Sequence, residues 1–197
     1  MEHLYPKVVN FQENEFDKVK DVYKQLENSQ SPKTLVVSCA DSRVLPNQFS
    51  QAGPGEIFSI RNAGNLIPAY SEGEVSNEAL TLEYGVEALE VKQIVICGHS
   101  KCGAMGGVLD FQNLSSLPLV QKGLSGIHSV FQQEFKAAPE LSELIEWNVR
   151  KQMENVLSYP FVKKRVEAGQ LSVWGWVWDF VDGKISYKIS SKDLANS

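Results

Sequence analysis

Two short stretches hold residues whose types and spacing could do chemistry together. "SCADSR" puts Cys39, Asp41 and Arg43 directly after an apolar run at residues 35–38. "GHSKCG" puts His99 and Cys102 directly after "IVIC", residues 94–97. Two thiols and an imidazole suit zinc, which prefers a tetrahedral set of such donors and in catalytic sites keeps one position for water or substrate. Three protein donors is the open, catalytic count. Gly98 and Gly103 flank His99-x-x-Cys102 and let the backbone turn tightly around an ion. Asp41 and Arg43 alternate just beyond Cys39, and a bidentate pair of this kind is geometrically specific and keeps the acid ionised. An ionised Asp41 beside zinc could orient a water; with the pair broken, it could instead fill the fourth position. On spacing alone, buried core cysteines, a surface histidine and a solvated ion pair remain an alternative.

The surrounding pattern supplies elements to hold these residues. "TLVVS" (34–38), "EIFSI" (56–60) and "QIVIC" (93–97) read as strands rich in β-branched residues. Between and around them lie helical patterns. Residues 13–27 carry Phe16, Val19, Val22, Tyr23 and Leu26 at helical spacing. Residues 75–90 carry two apolar lines, one through Val75, Ala79, Leu82, Val86 and Leu89, the other through Leu80, Tyr84 and Ala88. A helix apolar on two faces is covered on both, by a core or by another subunit.

"GAMGGVLDF" opens a Gly-rich helix. Further helices are predicted at 120–135 and 141–157, the latter with Leu141, Ile145, Asn148, Gln152 and Val156 on one face. "YPFVKKRVEAG" is a short helix with Pro160 near its start and Gly169 at its end. "LSVWGWVWDF" and "ISYKIS" are two strands joined by a turn containing Asp182-Gly183. Trp174, Trp176 and Trp178 alternate along the first of them and share a face, as core or subunit contact.

Strands alternating with helices predict an α/β fold with a parallel sheet and crossover helices. In such sheets, sites form outside the carboxyl ends of the strands, where Cys39 and His99 both stand.

With 197 residues, the chain suits one domain with a real core. A net charge of −5 offers no basic stripe for nucleic acid. No apolar stretch is long enough to span a bilayer, and the polar N-terminus lacks the apolar core of a signal peptide. A cytoplasmic protein is expected, with a removed organelle-targeting segment left open. Three cysteines form no disulfide framework. Cys97, at the end of an apolar run, reads as buried filler; His3 and His128 belong to no motif.

"CADSR" and "GHSKCG", about sixty residues apart, strongly resemble the β-class carbonic anhydrases. The resemblance extends through "PGEIFSIRNAGNLIP", "LEYGVEAL" and "ENVLSYPFVKKR", and covers most of the chain from Gln30 onward. It implies a zinc enzyme interconverting carbon dioxide and bicarbonate, with Cys39, His99 and Cys102 as zinc ligands and Asp41 with Arg43 as the catalytic dyad. Gln30, nine residues before Cys39, matches the pocket glutamine of the plant-type, open-site branch. Phe58 and Tyr84 match that pocket's aromatic walls, contributed across a dimer interface.

Three features depart from the plant-type pattern: Ala63 stands for a larger aliphatic residue in the substrate pocket near the zinc, Ala88 for a histidine in a proposed proton route, and "RNAGN" (61–65) differs from the commonest plant form though it occurs in bacterial relatives. The implied fold is a central, mostly parallel sheet flanked by helices, with a C-terminal edge strand, in a homodimer or a larger homo-oligomer. A single unit over 1–197 is expected, comprising an N-terminal helical arm (1–30), a zinc-site α/β core (31–110), a helical segment (111–170) and C-terminal strands (171–190). A hydrolase of carbon disulfide or carbonyl sulfide on the same scaffold, and a non-catalytic zinc-binding subunit, are the rival readings.

Overall fold

The computed structural model describes residues 3–194. Five strands form one sheet in the order β2-β1-β3-β4-β5: β1 (Thr34–Cys39), β2 (Ile57–Asn62), β3 (Gln93–His99), β4 (Ser172–Asp179) and β5 (Lys184–Ser190). The first four run parallel and β5 closes one edge antiparallel to β4. The α/β architecture with a mostly parallel sheet and a C-terminal edge strand is therefore the one observed. From β1 the chain moves to one side to make β2, then crosses back to place β3 on the other side. The order reverses beside β1, so the crevice at the carboxyl ends of β1 and β3 is the switch point at which α/β sheets place their sites.

Nine α-helices surround the sheet among the described residues: α1 (Tyr5–Asn10), α2 (Lys20–Gln25), α3 (Pro46–Ser50), α4 (Asn77–Glu83), α5 (Gly103–Leu109), α6 (Pro118–Glu134), α7 (Leu141–Ser158), α8 (Pro160–Glu167) and α9 (Ser191–Leu194). The longest, α7, is the core helix. Its N-terminus is fixed by a capping box in which the Glu143 carboxylate accepts the Glu140 N–H at 3.2 Å. Its inner face buries Leu144, Ile145, Val149, Met153 and Val156. Full burial of each is worth about 1.5–3 kcal/mol.

Glycine lets α7 come close to the sheet. A Cβ on Gly98 would lie 2.8 Å from the Val149 side chain, and one on Gly175 would lie 2.5 Å from Val149 and 2.6 Å from the Met153 sulfur. β3 and β4 thus each present a bare backbone position to the helix. The opposite face of the sheet carries a smaller cluster of Val36, Val95 and Cys97, against which Trp174, Trp176 and Trp178 pack half-buried. Burial pushes the Cys97 thiol up to about 12, which suits inert filler.

Three sequence expectations are corrected. The predicted helix at 13–27 begins earlier and is broken: α1 runs into a π-helical turn (Phe11–Glu15) and a 3₁₀ turn (Phe16–Lys18) before α2. None of these four elements buries a residue. Without a core to pack on, the stripe does not set one continuous helix.

Val75 lies outside the helix predicted at 75–90. Ser76 caps α4, its hydroxyl accepting the Ala79 N–H at 3.0 Å, so Val75 is left 80% exposed. The same segment ends in a π-helical turn, Tyr84–Ala88, rather than a uniform helix. Finally, β3 does not stop at Cys97. Its ladder with β4 continues to a His99–Trp178 pair, so the histidine is itself a strand residue.

Candidate metal centre

Cys39 ends β1 and His99 ends β3, and these strands are hydrogen-bonded neighbours. After His99 the backbone turns back through Lys101, which takes a left-handed φ of 56°, and delivers Cys102 to the start of α5. The sulfurs of Cys39 and Cys102 and a ring nitrogen of His99 lie within 4.8 Å of one another, and all three residues are buried. Among the described residues this is the group of three or more potential ligands with such spacing.

The donor set carries an unmet demand. His99 Nδ1 lies 2.9 Å from the Ser100 carbonyl, which assigns the ring proton to Nδ1 and leaves a lone pair on Nε2. His99 Nε2 is buried and has no hydrogen-bond partner. Buried polar atoms are rarely left so. Two thiols and a bare imidazole nitrogen, all within reach of a single point, fit zinc in an open site.

The two thiols do not behave alike. The hydrogen bond from Cys102 holds the Cys39 thiol well below its ordinary value. Burial opposes this, while the Gly64 N–H and the backbone at Asp41 add to it. Cys102 is driven up, by that same bond and then by burial. The pair therefore shares one proton between the two sulfurs, which a dication binding both would displace.

Asp41 and Arg43 sit at the rim. Arg43 Nε and Nη2 donate to the two carboxylate oxygens at 2.9 and 2.7 Å, and its backbone N–H donates to Oδ1 at 2.9 Å. These bonds, side chain first, hold the Asp41 carboxyl well below the usual carboxylate range. Asp41 Oδ2 is 3.9 Å from His99 Nε2, so an acceptor-only carboxylate faces the donor triangle. The Arg43 guanidinium lies over the Phe180 ring at 4.3 Å from its centroid, gripped from both sides.

Residues that the motif reading did not assign hold this rim in place. Arg61 donates to the carbonyls of Cys39, Asp41 and Val44, at 3.2, 3.1 and 2.8 Å from Nη2, and so fixes the turn after β1. Its signal was present in "IRNAGN", but nothing in the spacing said which carbonyls it would reach. Gly64 donates its N–H to Cys39 Sγ at 3.4 Å. Asn148 and Gln152 pin the loop around Gly64 from α7; their signal was two amides on an otherwise apolar stripe.

The residues expected to line the substrate pocket divide. Ala63, beside Gly64, lines a cavity of about 770 Å³ whose other walls include Leu66, Ile67, Leu124 and Ile127. Phe58 and Tyr84 do pair, with ring centroids 5.9 Å apart. However, Phe58 is opposite Leu35, four residues before the Cys39–Asn62 end of the ladder, or about 13 Å along the strand. Tyr84 is half exposed, and Gln30 is exposed in the segment before β1. Within one chain these three do not meet the donor triangle. His128 is satisfied structurally: its Nδ1 lies 3.1 Å from the Val108 carbonyl and its ring stacks on Phe111.

A sheet of this order, with two thiols and an imidazole at its switch point, defines a class of metal-site α/β proteins, and comparison with known proteins narrows it. A family model described as carbonic anhydrase matches residues 34–185. The chain is 37% identical over 183 residues to the carbonic anhydrase of Pseudomonas aeruginosa, covering 90% of this chain and 82% of that one. It is 36% identical over 192 residues to that of Synechocystis, covering 94% and 70%. The solved structure of the β-carbonic anhydrase CcaA superposes with a TM-score of 0.86 at 35% identity, covering 94% of this chain and 86% of that chain. The chain belongs to the β-carbonic anhydrase family.

Proposed function

We propose that this chain is a zinc-dependent lyase that reversibly hydrates carbon dioxide to bicarbonate and a proton. The observation that carries the reading is the orphaned, buried His99 Nε2 beside two thiols within 4.8 Å. Cys39, His99 and Cys102 would hold the ion. Bound there, zinc would supply a Lewis acid that makes water acidic enough to act as a nucleophile near neutral pH. Asp41, kept ionised by Arg43, can accept a hydrogen bond only, and so would fix which way a water proton points. Phe180 and Arg61 keep Asp41 and its turn from relaxing toward the ligands. Ala63, next to the Gly64 whose N–H meets Cys39 Sγ, would supply part of the wall for carbon dioxide.

Gln30, Phe58 and Tyr84 complete the pocket in this proposal only if a second chain brings them. Leu80 and Tyr84 are 59% and 50% exposed on one helical face, and Tyr5, Phe11 and Tyr23 are exposed on the arm. Large apolar side chains grouped on such faces mark interaction surfaces. A homodimer, singly or paired into a tetramer, follows, as does the open-site branch that Gln30 suggests. One unit over 1–197, built as arm, zinc core, helical segment and final strands, would serve this function in the cytoplasm. Among the described residues no helix is long and apolar enough to cross a membrane.

Stopped-flow carbon dioxide hydration from about pH 6.5 to 9, with zinc quantified in the same sample, tests the reading. Fast turnover across the range supports an open carbonic anhydrase. Activity confined to high pH keeps the reaction but overturns the open branch. Full zinc with no hydration overturns the function, and sulfide release from carbonyl sulfide then separates the hydrolase from a non-catalytic subunit.

A further inference from the structure

The main core contains a buried polar ladder that the proposed chemistry does not use directly. Asn148 and Gln152, each 1% exposed, stand one turn apart on α7. Asn148 Nδ2 donates to the Gly64 carbonyl at 3.1 Å. Asn148 Oδ1 accepts from Gln152 Nε2 at 3.0 Å, and Gln152 Oε1 accepts the Ile67 N–H at 2.8 Å. Two amides thus satisfy each other and grip the loop at both ends of residues 64–67. That loop holds two consecutive left-handed residues, Gly64 at φ 84° and Asn65 at φ 50°. For a residue with a side chain, such a conformation persists only where its surroundings impose it. The turn points the Gly64 N–H at Cys39 Sγ, 3.4 Å away.

We propose that Asn148 and Gln152 are positioning residues for the metal centre, acting through the Gly64 N–H on the Cys39 thiolate. Withdrawing electron density from one sulfur makes it a weaker donor and so leaves the ion a stronger Lewis acid. It also fixes the direction of the sulfur lone pairs before the ion arrives. Hydrogen bonds to metal ligands commonly set metal affinity in this way. The inference rests on the zinc reading of Cys39, His99 and Cys102.

The test uses the full chain loaded with cobalt(II) in place of zinc, because sulfur-to-cobalt charge transfer reports directly on the thiolates. In the Asn148→Asp variant the side chain keeps its shape, but a carboxylate oxygen replaces the amide donor facing the Gly64 carbonyl. The turn relaxes and the N–H···S bond lengthens. The raised sulfur level should move the charge-transfer band to longer wavelength. Because the sulfur is no longer held in its ligating direction, which outweighs its stronger donation, cobalt loss to a chelator should be about tenfold faster. Asn148→Ser, too short to reach Gly64, provides the same readout should the aspartate variant not fold.

Ser158→Ala is the control. Ser158 accepts the Tyr70 N–H at 2.8 Å, further along the same loop, so its loss should leave the band in place. An unmoved band in the Asn148 variants, or an equal shift in Ser158→Ala, overturns the proposal and leaves a purely structural ladder. If wild-type protein takes up cobalt without a thiolate band, it is the zinc reading that fails, before the variants are compared.

Discussion

The carboxyl end of β1 and β3 and the surface made by the arm, Phe58 and Tyr84 differ in what they need from outside the chain. At the strand ends every donor is supplied, buried and braced: Cys39, His99 and Cys102 are each at most 6% exposed, and Arg61, Phe180 and Gly64 hold their neighbours. On the arm and around Tyr84, each aromatic pair leaves one ring open: half-buried Phe16 stacks on exposed Tyr23 at 6.0 Å, and half-buried Phe58 lies beside half-exposed Tyr84 at 5.9 Å. One region is complete in a single chain; the other ends where a second chain would begin. Metal binding and pocket completion should therefore be separable by mutation.

The largest effect should come from breaking the complete region at its centre. Cys102→Ala leaves two ligands, and bound zinc should fall to about a tenth or less per chain, with turnover down by at least about 10³-fold. Metal analysis and stopped-flow assay of the same preparation check this. Zinc retained in full would remove Cys102 from the ligand set.

Next comes the rim. Asp41→Asn keeps the shape but loses the charge that Arg43 grips, and turnover should drop about 10²-fold with zinc content unchanged. Equal loss of zinc and turnover would make Asp41 a structural support rather than an orienting group.

The incomplete region predicts a smaller, concentration-dependent effect. Tyr84→Asp puts a charge on a half-exposed apolar face and should weaken self-association about 30-fold, near 2 kcal/mol, read by sedimentation. Activity per chain should fall on dilution while zinc stays bound. If the variant remains active as a monomer, the pocket does not need a second chain.

The smallest effect lies far from both regions, at Glu134. Burial raises its carboxyl, but Lys151 at 2.7 Å and the Trp147 indole N–H at 2.7 Å outweigh that and leave it below its ordinary 4.5. A depressed folded value means stability that is present above the unfolded value and lost as pH falls through the folded one. Glu134 is 40% exposed, so the pair is worth little. Glu134→Gln should cost about 0.5 kcal/mol at neutral pH, a difference that fades in denaturant titrations as pH falls below the ordinary carboxyl value of 4.5. Turnover should not change.

Much of the fold was legible because its strands are short apolar runs and its helices are periodic. β1, β2, α7 and both final strands fall where the pattern puts them, as does β3 up to Cys97. The pattern failed where no core backs it. The arm's stripe at 13–27 reads as one helix but winds as three pieces, and Val75 falls outside α4 because Ser76 makes the better cap. Asn148 and Gln152 could be seen as amides on an apolar face, but not as a clamp on a loop more than eighty residues away.

The sequence alone determined the chemistry on offer: two thiols, an imidazole and an acid–base pair, delivered at strand ends, because residue type and local periodicity fix donor character and secondary structure. Only the tertiary structure decided that β1 and β3 are neighbours, so that the donors converge within 4.8 Å. It alone decided which carbonyls Arg61 reaches, and it left Tyr84 half exposed beside a Phe58 packed against the core. Strand order, register and helix docking arise from burying apolar surface across the whole chain, and that long-range choice is written in no single motif.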